Sequence, residues 1–437
     1  MRLSVRNAYW LVTSLNWFAA VLPMPVMVLL AQSRGVTLAE VGLYMGVYAL
    51  VVAALEVPSG AVADAMGRKR AYLLGGALTV VARLVYLAAF DLWAFVLFAA
   101  LFGAARALTS GALEAWFVDA LQAEDEGVDL QPALATAGSF QLAALALGTL
   151  GGGALPALFA RLPEAGAVTP LAVPLLVSAL LQVLVLALAA AVVVERRPAA
   201  AGSLSTAVSP LAVVALVRQA FVAVARAPRL RLLLAADVVV GAALAASENL
   251  WQPFFAALLP GDGAAVAAGG GTLALGAILG GSFAVGILGN LLATRLAAAL
   301  GRRHALVAAL FQLAQGAAFV LLALAGGFVA AAALFLGTYL ARAALSSPHM
   351  ALYNREVTAD RRSVMLSVQS LASFAGAFVG SVALGTLAEA ASIATAWAVA
   401  GAAVAATSLL YLRLDREARR ERGAAYRGTK LSVVDDM

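Results

Sequence analysis

The chain holds 437 residues, 63% of them hydrophobic and only 12% charged, with a net charge of +6. A soluble domain carries about 25% charged residues, so this composition excludes a water-soluble fold and leaves a polytopic membrane protein. The cations sit in short loops and a C-terminal tail, the pattern of membrane topology, which speaks against a nucleic-acid partner. Cysteine is absent, so disulfides and thiolate chemistry are excluded. Two histidines, His304 and His349, are too few for a histidine-rich metal site, which leaves carboxylate-bound ions as the alternative; no metal site and no cofactor is assigned.

A crossing needs roughly 20 apolar residues. On that ruler twelve spans are predicted, at 8–31, 40–63, 71–90, 92–117, 132–156, 169–194, 230–258, 272–296, 304–325, 327–350, 364–388 and 393–412. Met1 to Asn7 precede an apolar run longer than a signal-peptide core, so the first span is read as retained. It offers Tyr9, Thr13, Asn16 and Trp17. Between the second and third spans lies Gly60-Ala-Val-Ala-Asp64-Ala-Met-Gly67-Arg68-Lys69-Arg70. Its glycines permit a tight turn, and its three cations fix that turn on one side of the membrane. In the fourth span Arg106, Ser110 and Phe117 share a face, with Glu114 to its side.

Glu195 to Pro228 is the longest polar interruption and divides the spans six and six. Within it, Leu211 to Arg226 has apolar residues at helical spacing and is expected to lie on the membrane surface. In the seventh span Asp237 and Glu248 fall about 20° apart around a helix at roughly 100° per residue. Gln252 follows one turn later, and Pro253 is placed to kink the helix. In the tenth span Arg342, Ser346, His349 and Tyr353 share a face. The arginine-rich tail from Arg413 is expected to rest against anionic lipid.

Topology follows from counting. With the N-terminus in the cytoplasm, 24 of the 29 lysines and arginines lie inside, and only Arg34 and Arg161 lie outside. This places both termini in the cytoplasm. The halves also repeat. Arg106-x3-Ser110-x4-Ala115-x-Phe117-x-Asp119 recurs as Arg342-x3-Ser346-x4-Ala351-x-Tyr353-x-Arg355 at a shift of 236. Gly67-Arg68-Lys69 recurs as Gly301-Arg302-Arg303 at a shift of 234. Two near-identical shifts argue for a duplicated six-helix unit. The predicted organisation is an N-terminal bundle at 1–195, a cytoplasmic loop at 196–228, a C-terminal bundle at 229–412 and a basic tail at 413–437.

The Gly60–Arg70 turn, the twelve spans, the duplication and the basic central loop together resemble the major facilitator superfamily. Ser110-Gly111-Ala112-Leu113-Glu114-Ala115-Trp116 with Asp119 resembles its bacterial drug-efflux-like branch. The resemblance implies an all-α membrane fold of twelve transmembrane helices in two pseudo-symmetric six-helix bundles, set in a bacterial inner membrane. Spans one, four, seven and ten would line a central cavity. Asp64 would lock the cytoplasmic side by meeting the start of span eleven, near Ser363 and Val364. Arg83 would sit on a peripheral span and pair or snorkel. In the second half Ala298 stands where Asp64 stands in the first.

No Gly-Lys-[Ser/Thr] phosphate loop is present: Lys69 and Lys430 follow Arg68 and Thr429. Transport must therefore draw on a gradient or run downhill. Ionisable groups inside spans cost about 2.5–3.5 kcal/mol at a helix centre, so each needs a partner or a water-lined cavity. The gating set is Gly60, Asp64, Gly67, Arg68, Lys69 and Arg70. The proton-coupling set is Glu248, Asp237 and Glu114, with Glu248 leading. Its other reading is a fixed ion pair between the halves, and that of Asp237 is a pair with Arg229 or Arg231. Glu56 is expected to pair with Arg106. The substrate-cavity set is Asn16, Trp17, Arg106, Ser110, Gln252, Arg342, Ser346 and His349. The expected activity is transport, not enzymatic catalysis: proton-coupled efflux of a small amphiphilic solute by a monomer. The alternative is a facilitator or proton symporter importing a small organic anion on an Arg106–Arg342 clamp.

Overall fold

A computed structural model describes residues 3–163, 165–195, 224, 227–261, 270–357 and 362–435, with the side chains of Val57, Ala61, Asp64, residues 362–364 and residues 422–435 left outside the description. The predicted surface helix at 211–226 falls outside it but for Val224.

The regular secondary structure of the described residues is all helical, without a strand. The first half contains α1 (Val5–Val21), α2 (Met27–Ser33), α3 (Leu38–Met66), α4 (Arg68–Ala88), α5 (Leu92–Thr109), α6 (Ala112–Glu124), α7 (Leu130–Leu158) and α8 (Val173–Val192). The second contains α9 (Pro228–Asn249), α10 (Trp251–Ala257), α11 (Gly271–Ala299), α12 (His304–Ala323), α13 (Phe328–Glu356), α14 (Arg362–Ala390) and α15 (Ile393–Asp435). Among the described residues, 11 stretches are long and apolar enough to cross a membrane. The pair α1–α2 supplies the remaining crossing. Large side chains such as Leu158, Leu180, Leu324, Val329 and Leu409 are exposed on the outer surface, as a lipid-facing belt requires.

Three predicted spans are broken, each for a local reason. Pro23 and Pro25 cannot donate to a helical ladder, and α1 gives way to turns held by Met24 N to Val21 O and Val26 N to Pro23 O, both 3.0 Å. The fourth span breaks at Ser110-Gly111, where Gly111 takes a φ of 68°, a conformation that costs glycine little. In the seventh, Pro253 leaves the Asn249 carbonyl without its ladder donor, and the helix breaks at Leu250. Other starts are capped by side chains: Thr37 and Glu40 form a reciprocal box on α3, and Asp91 receives Trp93 N and Ala94 N at 2.9 and 3.1 Å.

The packing is a repeat. In the first half α1 packs on α7 and α8, α3 on α5, and α4 on α5 and α8. Six spans later the same partnerships recur: α9 on α14 and α15, α11 on α13, and α12 on α13 and α15. The halves meet through α3 with α14 and α7 with α11, which are again symmetry equivalents. This is the expected arrangement of two pseudo-symmetric bundles.

The two ends of the molecule differ. At the end away from the termini, one apolar core draws on both halves, with Val26, Tyr44 and Phe95 beside Trp251, Phe335 and Trp397. At the end bearing the termini there are two separate cores. One holds Tyr9, Tyr72 and Trp116, the other Leu233, Leu352 and Tyr411. Three polar contacts between the halves lie on the side of the shared core, while Glu56 with Ser370 joins them nearer the termini. Leu38 N donates to Glu389 Oε2 (2.9 Å), Val28 N to Gln252 Oε1 (2.8 Å) and Thr272 Oγ1 to Gly153 O (2.7 Å), all toward the far end. A methyl on Gly385 would lie 2.8 Å from the Leu38 carbonyl oxygen, so the helices close to backbone contact there. Gly60 and Gly138, toward the termini, face open space.

The tail departs from expectation. α15 runs without a break from Ile393 to Asp435, 43 residues, or about 65 Å at 1.5 Å per residue. Its extension packs on its own bundle at first. Arg303 Nε donates to Asp415 Oδ1 (3.1 Å), and Arg229 pairs with Glu356, Glu417 and Glu421. Asp415, Glu417 and Glu421 are thus held by protein partners, while Arg413, Arg416, Arg419 and Arg420 are exposed.

Candidate functional site

A cavity of about 350 Å³ lies between the halves. The first half contributes Met27, Met45, Tyr48, Arg83, Phe98 and Phe102. The second contributes Glu248, Trp251, Gln252, Phe283, Tyr339 and Arg342. The wall is mainly aromatic and methionine surface, with a few charged groups. The Glu248 carboxylate opens to the cavity, and both Arg342 and Arg106 lie close enough to act on its charge. The Tyr48 and Tyr339 hydroxyls feel that same carboxylate.

Gln252 lines the cavity but is 3% exposed. Its amide oxygen accepts from Val28 N, one of the N–H groups that the start of α2 cannot satisfy within the helix. It therefore ties the two halves across the closed end. Of the substrate-cavity set, Gln252 and Arg342 belong to this lining and the others do not. Asn16 accepts from Tyr72 Oη (3.1 Å) and Gln182 Nε2 (3.3 Å), between α1, α4 and α8. Trp17 is half-buried on α1, and Arg106, Ser110 and Ser346 are exposed outside the lining, as is Glu114.

Asp237 and His349 require the largest correction. Asp237 does not meet Arg229 or Arg231, and His349 does not face the cavity. Both are 7% exposed, and they bond to each other inside the second half. His349 Nε2 is 3.0 Å from Asp237 Oδ1, Tyr353 Oη donates to Oδ2 at 2.6 Å, and Gln369 Nε2 approaches Oδ1 at 3.4 Å. Tyr411 Oη lies 2.8 Å from His349 Nδ1. The carboxylate thus has three donors from α13 and α14. Glu56 is also re-partnered: it accepts from Ser370 Oγ at 2.6 Å, across the interface, and makes no ion pair with Arg106.

The Gly60–Arg70 turn is braced from within its own half. Gly67 has a φ of 97°, and a methyl there would lie 2.8 Å from Glu195 Oε2. The Glu195 carboxylate caps the free N–H groups of α4, receiving Arg68 N at 2.7 Å and Lys69 N at 3.3 Å. Arg68 Nη1 pairs with Asp119 at 2.6 Å, and Lys69 Nζ donates to Ala190 O at 2.7 Å. The backbone of Asp64 lies in the last turn of α3, with Gly60 four residues before it and Arg70 exposed; the Asp64 side chain is outside the described residues, as are those of Ser363 and Val364. Sequence reasoning missed Glu195. The signal available was a lone carboxylate at the end of the sixth span, followed at once by Arg196 and Arg197.

Arg83 is the other residue misplaced by sequence. It neither snorkels nor forms an ion pair. It is 3% exposed and belongs to the cavity wall.

The family model of the Major Facilitator Superfamily matches residues 9–286. No curated protein matches the sequence. Among solved structures, the nucleoside transporter NupG is similar at 11% identity and a TM-score of 0.72, over 94% of this chain and 99% of that one. A bacterial homologue of the iron transporter ferroportin in an inward-facing state is similar at 14% and 0.72, over 94% and 98%. A bacterial homologue of the human lysosomal transporter Spinster, inward-facing and unoccupied, is similar at 14% and 0.67, over 93% and 94%. These identities speak for the fold, and the match over residues 9–286 settles the family: this chain belongs to the Major Facilitator Superfamily.

Proposed function

We propose that the protein is a secondary transporter working by alternating access, exporting an amphiphilic organic solute in exchange for protons. The observation that carries this reading is the asymmetry of the ends: one core shared by both halves on one side and two separate cores on the other. With the termini in the cytoplasm, as the distribution of cations favours, this state is closed outward and open inward. The similar structures of a nucleoside transporter, a ferroportin homologue and a Spinster homologue, the last two inward-facing, support the reading as a transporter.

Glu248 is the proton carrier in this account. A carboxylate open to a cavity deep inside the protein can be reached by water, solute and proton in turn. Arg106 and Arg342 favour its charged form whenever they approach, and so couple its proton to the movement of the halves. Asp64 is the gate on the cytoplasmic side, engaged once the halves close there. The aromatic and methionine wall suits an apolar body of adaptable shape. The protein acts as a monomer in a bacterial inner membrane.

The test is made in proteoliposomes with an acidic interior. Addition of a transported amphiphile should dissipate the gradient in wild type. Glu248→Gln should bind the solute and move no protons. Proton flux that persists in Glu248→Gln contradicts the assignment. A second reading, import of a small organic anion, is favoured by the excess of guanidinium over carboxylate groups around the cavity. It requires that Arg342→Lys impair binding through lost bidentate geometry while Glu248→Gln does not.

A further inference from the structure

Arg83 projects from α4 into the cavity wall, although the third span is peripheral to the cavity in the sequence-based expectation. Its Nη1 donates to the Ser178 carbonyl oxygen and to Gln182 Oε1, both at 3.1 Å. Gln182 is oriented in turn by its bond to Asn16, which also holds Tyr72. Every fixed partner of this guanidinium is neutral. Among the described residues no carboxylate pairs with it.

A cation 3% exposed inside a membrane span needs an anion or water. Guanidinium has five N–H donors in a rigid planar fork. The two bonds recorded come from Nη1 alone, and the Nε and Nη2 atoms are not sealed off by surrounding protein. The open space that Arg83 borders is the cavity. Around it Met27, Met45, Phe98 and Phe102 form an apolar wall. The cavity lining holds two guanidiniums, Arg83 and Arg342, against one carboxylate, Glu248, with Arg106 nearby.

We propose that Arg83 is an anion subsite, and that the solute carries a carboxylate, sulfonate or phosphate group on an aromatic or alkyl body. The anionic group receives the free edge of the fork, and the body lies along the methionine and phenylalanine wall. Arg83 is then the residue that discriminates anionic amphiphiles from neutral and cationic ones of the same shape. The proposal rests on reading this cavity as the solute site, and it names the solute's charge.

The test uses the full-length protein in nanodiscs with no gradient, and a matched series of probes: 2-naphthoate, 2-naphthylmethanol and 2-naphthylmethylammonium. Wild type should bind the carboxylate about tenfold or more tightly than either analogue, as a charge-assisted bidentate contact implies. Arg83→Gln should erase that preference, and Arg83→Lys should keep part of it. Glu248→Gln should keep the preference in nanodiscs while losing proton exchange in the proteoliposome assay, so the two claims fail separately. The wild-type ranking needs no variant and stands even where Arg83→Gln fails to fold. Equal binding of the three probes by wild type would overturn the proposal. So would a carboxylate preference that survives in folded Arg83→Gln protein.

Discussion

Asp237 and Glu248 lie on one helix and nearly one face, yet they meet different surroundings. Eleven residues of α9 separate them, about 16 Å of rise. Over that distance the helix passes from the cavity to the interior of the second bundle. Glu248 opens to the cavity, while Asp237 is enclosed by His349, Tyr353 and Gln369. Hydrogen bonds that satisfy a buried charge are costly to break. Asp237→Asn should therefore destabilise the protein by about 1.5–3 kcal/mol, seen as a lower melting temperature in detergent. Tyr411→Phe, which removes a single bond to His349, should cost about 0.5–1.5 kcal/mol. An unchanged melting temperature in Asp237→Asn would contradict a structural role for the cluster. The helical face of these residues was legible from spacing. What packs on that face was not, because period carries no information about the neighbouring helix. Arg83 illustrates the same limit: its burial depends on Ser178 and Gln182, about a hundred residues away in sequence.

Proline and glycine decide how the elements break and how closely they approach. Pro253 was visible in the sequence as a kink. The break falls at Leu250 because the carbonyl that loses its donor lies four residues upstream. Just past that break Gln252 lines the cavity beside Glu248 and accepts from Val28 N. Gln252→Leu leaves this N–H unpaired in the closed state, a penalty of about 1–3 kcal/mol, and should shift the protein toward opening at the far end. Gly385→Leu should act the same way by sterics, since even a methyl would meet the Leu38 carbonyl at 2.8 Å. The chain has no native cysteine, so a single Phe283→Cys in the cavity reports access directly. Labelling from the far side should be faster in both backgrounds than in the parent; equal rates would refute a seal at these contacts. Ends of elements were less legible than their centres. α15 continues past its apolar stretch because Asp415 and Glu417 find Arg303 and Arg229 on neighbouring elements, a tertiary cause that hydropathy cannot register.

For the whole molecule, sequence patterns carried most of the architecture. The duplication at shifts of 236 and 234 corresponds to helix partnerships that recur six spans on. The duplication does not reach every residue. Arg68 pairs with Asp119 in the first half, whereas their counterparts Arg302 and Arg355 are both cations. A gate built on the Asp64 turn thus belongs to one half only. Asp64→Asn should leave folding intact and abolish most transport, and full transport at normal expression would remove Asp64 from the gate. Which end stands closed was not legible, since in the proposed alternating-access cycle one sequence encodes both states.

In the proposed mechanism the two ends open reciprocally under control of Glu248. This is tested by distances between spin labels on introduced cysteines, Leu158 with Leu273 at the far end and Gln131 with Ala298 at the end bearing the termini. Between pH 8.5 and 5.5 the account predicts that one distance lengthens as the other shortens, and that Glu248→Gln abolishes the response. Changes of the same sign at both ends, or a reciprocal change that persists in Glu248→Gln, would contradict it.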